Sequence, residues 1–234
     1  MDSYELRRTF HMLTTPHVAD AVMRLDLPVR QAPPSVRPLW GNVHIVGRIR
    51  PARHTGSVDV FLEAIDRSSP GEVLVVDNDG RDDEACVGDL VTLEAHHARL
   101  AGIVIWGFHR DSRELSSIGL PVFSCGALPA GPQRLDPQSS EALTSAQVGT
   151  HRVTADDFVL GDEDGVLFLP LDRAADIAAA ATAIRDTERN QAARMHDGTS
   201  FRAQAHFAEY LTRRDREGIT FRQHLRAVGG AIEE

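Results

Sequence analysis

The chain has 234 residues, 42% of them hydrophobic, and a formal charge of -9 from 34 acidic and 25 basic side chains. That length fits one large domain or two small ones with a full core, and the acidic balance argues against a protein that coats nucleic acid or an anionic membrane surface. Every basic residue is arginine, which excludes Schiff-base aldolases, pyridoxal enzymes and phosphate-loop lysines, so carbon–carbon chemistry on this chain has to use a metal.

Residues 1 to 30 carry a helical pattern with Thr14-Thr15-Pro16 as its cap and Val18, Ala21, Val22 and Leu25 on one face. A proline-rich linker from Pro28 to Pro38 leads to a first strand at Val43 to Gly47, on which His44 points outward. Val60 to Ile65 reads as a short helix. The β-branched run Gly71 to Asp77 reads as a buried strand closed by the turn Asn78-Asp79-Gly80. After a short polar loop, Gly88-Asp89-Leu90-Val91 opens a helical run from Thr92 to Leu100, and Ala101 to Gly107 forms the next apolar strand. That strand delivers Phe108-His109-Arg110-Asp111 at its end. Leu120 to Gly126 is a short strand, and Ala127 to Ser140 is a loop rich in Pro, Gly and Ser. Gln147 to Val153 and Phe158 to Leu169 read as strands, the latter broken by an acidic hairpin turn at Gly161 to Gly165. From Leu171 onward the chain is helical, with Ala174 to Arg194 alanine-rich and Phe201 to Arg216 carrying aromatic residues at helical spacing. The alternation points to an α/β layer architecture.

The chemistry concentrates between Asp77 and Gly126. Arginine is permanently charged and can hold a carboxylate or 2-keto acid through two parallel bonds, which suits Arg110. Asp111 is a hard oxygen ligand suited to magnesium or manganese, which take one or two carboxylates plus waters and substrate oxygens. A helix N-terminus at Gly88 to Val91 adds N–H donors for an anion or a developing enolate. Glu114, three residues beyond Asp111, shares its face and can hold a metal-bound water. An ordinary surface Arg-Asp pair beside a helix cap is the simpler alternative on these residues alone. Cys86 and Cys125 have neither zinc nor disulfide spacing and are expected as buried free thiols. His109-Arg110-Asp111 spells a kinase triplet, but Ser116 stands where the metal-binding Asn belongs. His96-His97 lacks a third ligand and is expected on a helix surface. The polar start is not a signal peptide, so the expected location is cytoplasmic, with small molecules as partners and neither nucleic acid nor membrane.

These motifs, taken in order, resemble the RraA-like family, which includes regulators of ribonuclease E activity and metal-dependent 4-hydroxy-4-methyl-2-oxoglutarate aldolases. The resemblance covers most of residues 10 to 170: Asp20-Ala21, Pro70 to Asp77, Gly88-Asp89-Leu90, Arg110-Asp111-x-x-Glu114 with Leu120 to Phe123, and Gly161-Asp162-x-Asp164-Gly165-Val166 with Pro170. It implies a swivelling β/β/α domain over 1-170, a C-terminal helical extension over 171-234 making subunit contacts, and a homotrimer or homohexamer. It further implies a lyase that releases pyruvate from 4-hydroxy-4-methyl-2-oxoglutarate or an oxaloacetate-like 2-keto acid with Mg2+ or Mn2+, the alternative being a non-catalytic regulatory protein. On this resemblance Arg110 binds the pyruvyl part and stabilises the enolate, Asp111 holds the metal, and Gly88, Asp89, Leu90 and Val91 supply the amide turn. Glu114 moves protons through water, and Glu188 is the carboxylate borrowed from a neighbouring subunit. Trp106 and His109 depart from the family's usual residues and are expected to give an unusual pocket wall, with His109 as a neutral hydrogen-bonding group or an additional general acid.

Overall fold

A computed structural model describes residues 1–229. Among them no helix is long and apolar enough to cross a membrane. The described residues divide into two compact units, one of residues 1–16 and 28–175 and the other of 17–27 and 176–229.

The first unit is built on a seven-stranded mixed sheet. Its strands are β1 (Arg37–Pro38), β2 (Ile45–Arg53), β3 (Val73–Asp77), β5 (Gly102–Trp106), β7 (Val122–Ser124), β10 (Asp157–Asp162) and β11 (Gly165–Pro170), in the order β1-β7-β5-β3-β2-β10-β11. The four central strands are parallel, and β1, β10 and β11 run antiparallel to their neighbours. Helices α3 (Asp59–Asp66), α4 (Asp89–His97) and α5 (Ser112–Ile118) make the crossovers. Their apolar faces, with Phe61, Ile65, Ala95 and Leu115, pack on Leu74, Val76, Ile103 and Ile105. The opposite face, with Val73, Val75, Val104 and Phe123, is covered by a hairpin of β8 (Ser145–Val148) and β9 (His151–Thr154). A strand covered on both faces needs no polar alternation, and all five residues of β3 are buried. The expected β/β/α layering is therefore present. Helix α1 (Ser3–Phe10), opened by an Asp2 capping box, adds Leu6 and Phe10 to the core, with Phe10 against Phe158 at 5.1 Å between ring centroids.

Several elements differ from their sequence expectations. Residues 1 to 30 make two helices, α1 and α2 (Thr15–Arg24), rather than one. The first strand runs on to Arg53 through Pro51, because its ladder to β10 ends at Arg48 and no hydrogen bond on that side is lost. The segment expected as a strand from Gln147 to Val153 is the β8–β9 hairpin, turning at Gly149 with φ +58°. The acidic turn of the β10–β11 hairpin is only partly solvated. Asp162 is buried and accepts Thr15 N–H at 2.7 Å, Thr15 Oγ1 at 2.6 Å and Asp164 N–H at 3.0 Å. His44 is exposed as expected but precedes β2, with Nε2 2.9 Å from the Leu13 carbonyl.

The long loop after β7 is anchored by Arg134. Its guanidinium donates to Glu84 at 3.0 and 3.2 Å, to Asn78 Oδ1 at 3.2 Å and to Asp136. Glu84 is 4% exposed and also lies 3.6 Å from Nδ1 of the buried His54. Burial pushes the His54 pKa down, against the opposing effects of its bond to Asn78 and the Glu84 charge.

In the second unit, α6 (Ala174–His196) buries Ile177, Ala181 and Ile184. The helical run expected from Phe201 to Arg216 is two helices, α7 (Phe201–Gln204) and α8 (Phe207–Glu217), and α9 (Phe221–Val228) follows them. His206 at φ +48° breaks the first two apart. Phe207, Tyr210, Phe221 and His224 form an aromatic cluster with centroids 4.8 to 6.3 Å apart.

Candidate active site

Two short strands not foreseen in the sequence position the site. Strand β4 (Ala85–Val87), in the segment expected as polar loop, pairs in parallel with β6 (Phe108–His109) as a separate two-stranded sheet with a bulge between Ala85 and Val87. Each strand feeds a helix: β4 leads through Gly88 into α4, and β6 leads through Arg110-Asp111 into α5. Arg110 N–H donates to the Val87 carbonyl at 2.9 Å, which fixes the two turns side by side.

Asp111 is the N-cap of α5 in the left-handed conformation, φ 62° and ψ 39°. Aspartate tolerates that region better than most residues, and such a residue at a functional turn stores strain of about 1 kcal/mol or more. Its Oδ2 accepts Asp89 N–H at 3.3 Å and lies 3.5 Å from Arg110 Nε. The two side chains are 49% and 36% exposed, so both reach solvent. Gly88 is needed by contact rather than by its torsions: a Cβ there would stand 2.4 Å from Asp111 Oδ2 and 3.2 Å from Arg110 Nε. Gly131, in the long loop, likewise makes room for the guanidinium, with a Cβ placed 2.9 Å from Arg110 Nη1.

His109 is 2% exposed, and each ring nitrogen meets a serine hydroxyl, Nδ1 with Ser124 Oγ at 2.7 Å and Nε2 with Ser112 Oγ at 3.0 Å. Burial lowers its pKa, against the pull of the Asp111 charge. Of its two expected roles, the neutral hydrogen-bonding one fits this placement, because no ring nitrogen is left to act as an acid. Trp106 lines neither recess at Arg110: its indole packs over Gly80, where a Cβ would meet it at 2.5 Å, and against the core cluster on the hairpin side of the sheet.

Arg110 lines a groove of about 520 Å³ between α3 and α4 that also takes in Gly88, Asp89, Leu90 and Val91. On its other side Arg110 joins Asp111 in a second recess of about 400 Å³ against Ala127, Leu128 and Pro129. The expected residues thus meet, with two exceptions. Glu114 sits exposed on the first turn of α5 and lines neither recess. Glu188 belongs to the second unit, where its carboxylate is 3.2 Å from His17 Nε2. The helix turn is already engaged as well, since Leu90 N–H donates to the Asp89 carboxylate at 2.7 Å. A carboxylate oxygen therefore occupies the place an anionic ligand would take at this helix end. Sequence reasoning missed Gly131 and the groove walls; a glycine inside a Pro/Gly-rich loop carries no separate signal.

Among the described residues no group of three or more His, Cys, Asp and Glu side chains could hold a metal ion. A closed zinc-type cage is therefore absent from them. A single carboxylate that is 36% exposed still suits a hard divalent cation that keeps most of its waters, so Asp111 fits magnesium or manganese.

A relative from Halalkalibacterium halodurans is 30% identical over 137 residues, 58% of this chain and 64% of its own length, so the chain spans less than two thirds of that protein. The 4-hydroxy-4-methyl-2-oxoglutarate aldolase of Thermus thermophilus is 28% identical over 130 residues, 56% of this chain and 78% of its own. The solved structure of Streptomyces coelicolor RraAS2, described as an unusual member of the RNase ES inhibitor RraA protein family, superposes with a TM-score of 0.71 at 22% identity, covering 83% of this chain and 100% of that one. At that identity the likeness speaks for the fold. The family described as "RraA-like: Aldolase/RraA" matches residues 15–168, which contain the whole Gly88 and Arg110-Asp111 site, and the chain belongs to this family.

Proposed function

We propose that the protein is a divalent-metal-dependent lyase that cleaves a 2-keto acid and releases pyruvate. The observation that supports this most is the meeting of Arg110, Asp111 and the N-terminal turn of α4 within 3.5 Å, both side chains open to solvent. Arg110 holds the carboxylate and the 2-oxo oxygen of the pyruvyl part and stabilises the negative charge that develops there. The turn at Gly88 to Val91 orients the same end, the substrate oxygen replacing the Asp89 carboxylate at Leu90 N–H. Asp111 would hold the cation, which supplies Lewis-acid polarisation of the keto group when bound. Water takes the proton from the 4-hydroxyl as the C3–C4 bond breaks and returns one to C3, and Glu114, exposed on the same turn but outside both recesses, is assigned to relay that proton through solvent. Glu188 is assigned to the same proton path from a neighbouring subunit of a homotrimer or homohexamer.

The test is pyruvate release from 4-hydroxy-4-methyl-2-oxoglutarate and from oxaloacetate, with magnesium or with chelator. Arg110→Ala and Asp111→Asn are expected to abolish metal-dependent turnover, and Glu114→Gln and Glu188→Gln to lower kcat more than they change KM. Absence of turnover above the chelated background on both compounds would defeat this reading in favour of a non-catalytic regulatory role.

A further inference from the structure

We infer that Gly131 and Arg134 are positioning residues for Arg110: the short bridge between them, clamped on Glu84, fixes the guanidinium in the orientation that takes an anion. The inference rests on the lyase reading for what Arg110 binds and concerns what holds it there. Among the described residues the Arg110 guanidinium makes no hydrogen bond, and its one ion contact is Asp111 Oδ2, 3.5 Å from Nε. Its place is set by packing between two glycines. Gly88 leaves room for Nε and Gly131 for Nη1, a Cβ at these positions standing 3.2 and 2.9 Å away. An arginine held by contact alone keeps its N–H fork free for a ligand and has less rotamer freedom to lose on binding one.

The segment that carries Gly131 is anchored at both ends. Ala85 N–H donates to the Ala130 carbonyl at 2.8 Å, and one residue earlier Glu84 accepts Arg134 Nε at 3.2 Å and Nη2 at 3.0 Å. Only Gly131, Pro132 and Gln133 separate the two anchors, and the proline ring fixes one of their torsions. Arg134 is held from behind as well. Its Nη2 donates to Asn78 Oδ1 at 3.2 Å, its carbonyl lies 2.0 Å from where a Cβ on Gly56 would stand, and Asp136 N–H donates to the Thr55 carbonyl at 2.8 Å. A guanidinium meets Glu84 and Asn78 through separate donors of one rigid plane, which a lysine ammonium on a flexible stem does not reproduce. Crowding introduced at Gly131 is therefore relieved by movement of Arg110 rather than of the segment, for as long as the Arg134 clamp is intact.

The experiment is calorimetric titration of the full chain with pyruvate, magnesium present, in the wild type, Gly131→Ala, Arg134→Lys and the double variant, alongside thermal melts. Gly131 lies outside the positive-φ region, so alanine brings no backbone strain, and Arg134→Lys keeps a cation beside Glu84. We expect Gly131→Ala to weaken pyruvate binding at least tenfold with its melt close to that of the wild type, and Arg134→Lys to weaken it at least threefold. The double variant should bind no more weakly than Gly131→Ala alone, because a loosened segment gives way to the new methyl group. Wild-type affinity in either single variant, losses that multiply in the double variant, a loss in Gly131→Ala that comes with a melt far below wild type, or no pyruvate binding by the wild type would each overturn the inference. The lyase reading is judged separately by pyruvate release. These binding losses without turnover on either substrate sink that reading and leave the positioning standing, whereas turnover that both variants leave unchanged sinks the positioning alone.

Discussion

Gly88→Ala separates site geometry from fold stability. The φ of -130° and ψ of -161° at Gly88 are extended values that any residue adopts, so alanine brings no backbone strain. The added Cβ falls 2.4 Å from Asp111 Oδ2, where ordinary carbon–oxygen contact needs about 3.2 Å or more. The carboxylate therefore has to move by about 1 Å, and it can do so because Asp111 is 36% exposed. What the fold loses is one long hydrogen bond from Asp89 N–H, 3.3 Å, worth about 1 kcal/mol. Replacing glycine returns about 0.4–1 kcal/mol by restricting the unfolded chain. The two nearly cancel, so the melting temperature should stay within roughly 4 °C of wild type. If Asp111 holds the cation as proposed, a displacement of about 1 Å costs on the order of 100-fold in rate. The assay is pyruvate release coupled to NADH oxidation, alongside a thermal melt. A variant with kcat/KM within twofold of wild type would refute the placement of Asp111 at the reacting centre. One that loses activity only because it melts far below wild type would refute the separation of site from fold.

Three further predictions follow from buried groups. His54 and His109 both titrate below the ordinary histidine value because of burial, so the unfolded chain binds more protons than the folded one as pH falls through about 6.5. Stability is complete above that value and is lost below it by up to about 1.4 kcal/mol per pH unit for each residue until the folded-state value is passed; urea midpoints from pH 7.5 to 5.5 should show it, and a flat profile would contradict it. Arg134→Met leaves Glu84, 4% exposed, without its main cation and should cost about 3 kcal/mol in urea unfolding, with Glu84→Gln added to it restoring part of the loss; additive losses in the double variant would refute the pairing. Burial, with the Glu84 charge, raises the Cys86 thiol far above its usual value, so a disulfide reagent should titrate Cys125 alone in the folded protein and both thiols in denaturant. Two fast thiols in the native state would disprove it.

The site-bearing segment was legible because its local signals agree. The β-branched run ending at Asp77, the glycine opening a helix and the strand delivering Arg110-Asp111 each have a period or a turn residue of their own, and they meet in the fold as expected. What escaped the sequence depends on pairing rather than periodicity. Strand β4 is three residues long and bonds to a strand of two, too short for any alternation to show. The β8–β9 hairpin turns on Gly149-Thr150, a weaker turn signal than Asp-Gly, so its two halves read as one strand. The length of the first strand was hidden by Pro51, whose tolerance depends on where β10 stops pairing. The groove walls are leucines on helix faces, and only the tertiary arrangement shows that they remain exposed beside Arg110.

The separate β4–β6 pair also bears on the order in which the molecule assembles. It joins turns 22 residues apart, as measured from Asp89 to Asp111, whereas the ladder from Arg48 to Phe158 spans 110 residues, 158 less 48. Closing the shorter loop costs about 1.4 kcal/mol less chain entropy, 1.5RT times the logarithm of that ratio. Arg110 and Asp111 should therefore be brought to Gly88 before the far edge of the sheet is docked, so the proposed site turn forms early in folding and late-forming strands add stability around it. Pulsed hydrogen exchange during refolding checks this: the Arg110 amide, bonded to Val87, should gain protection ahead of the Phe158 amide, and the reverse order would refute it.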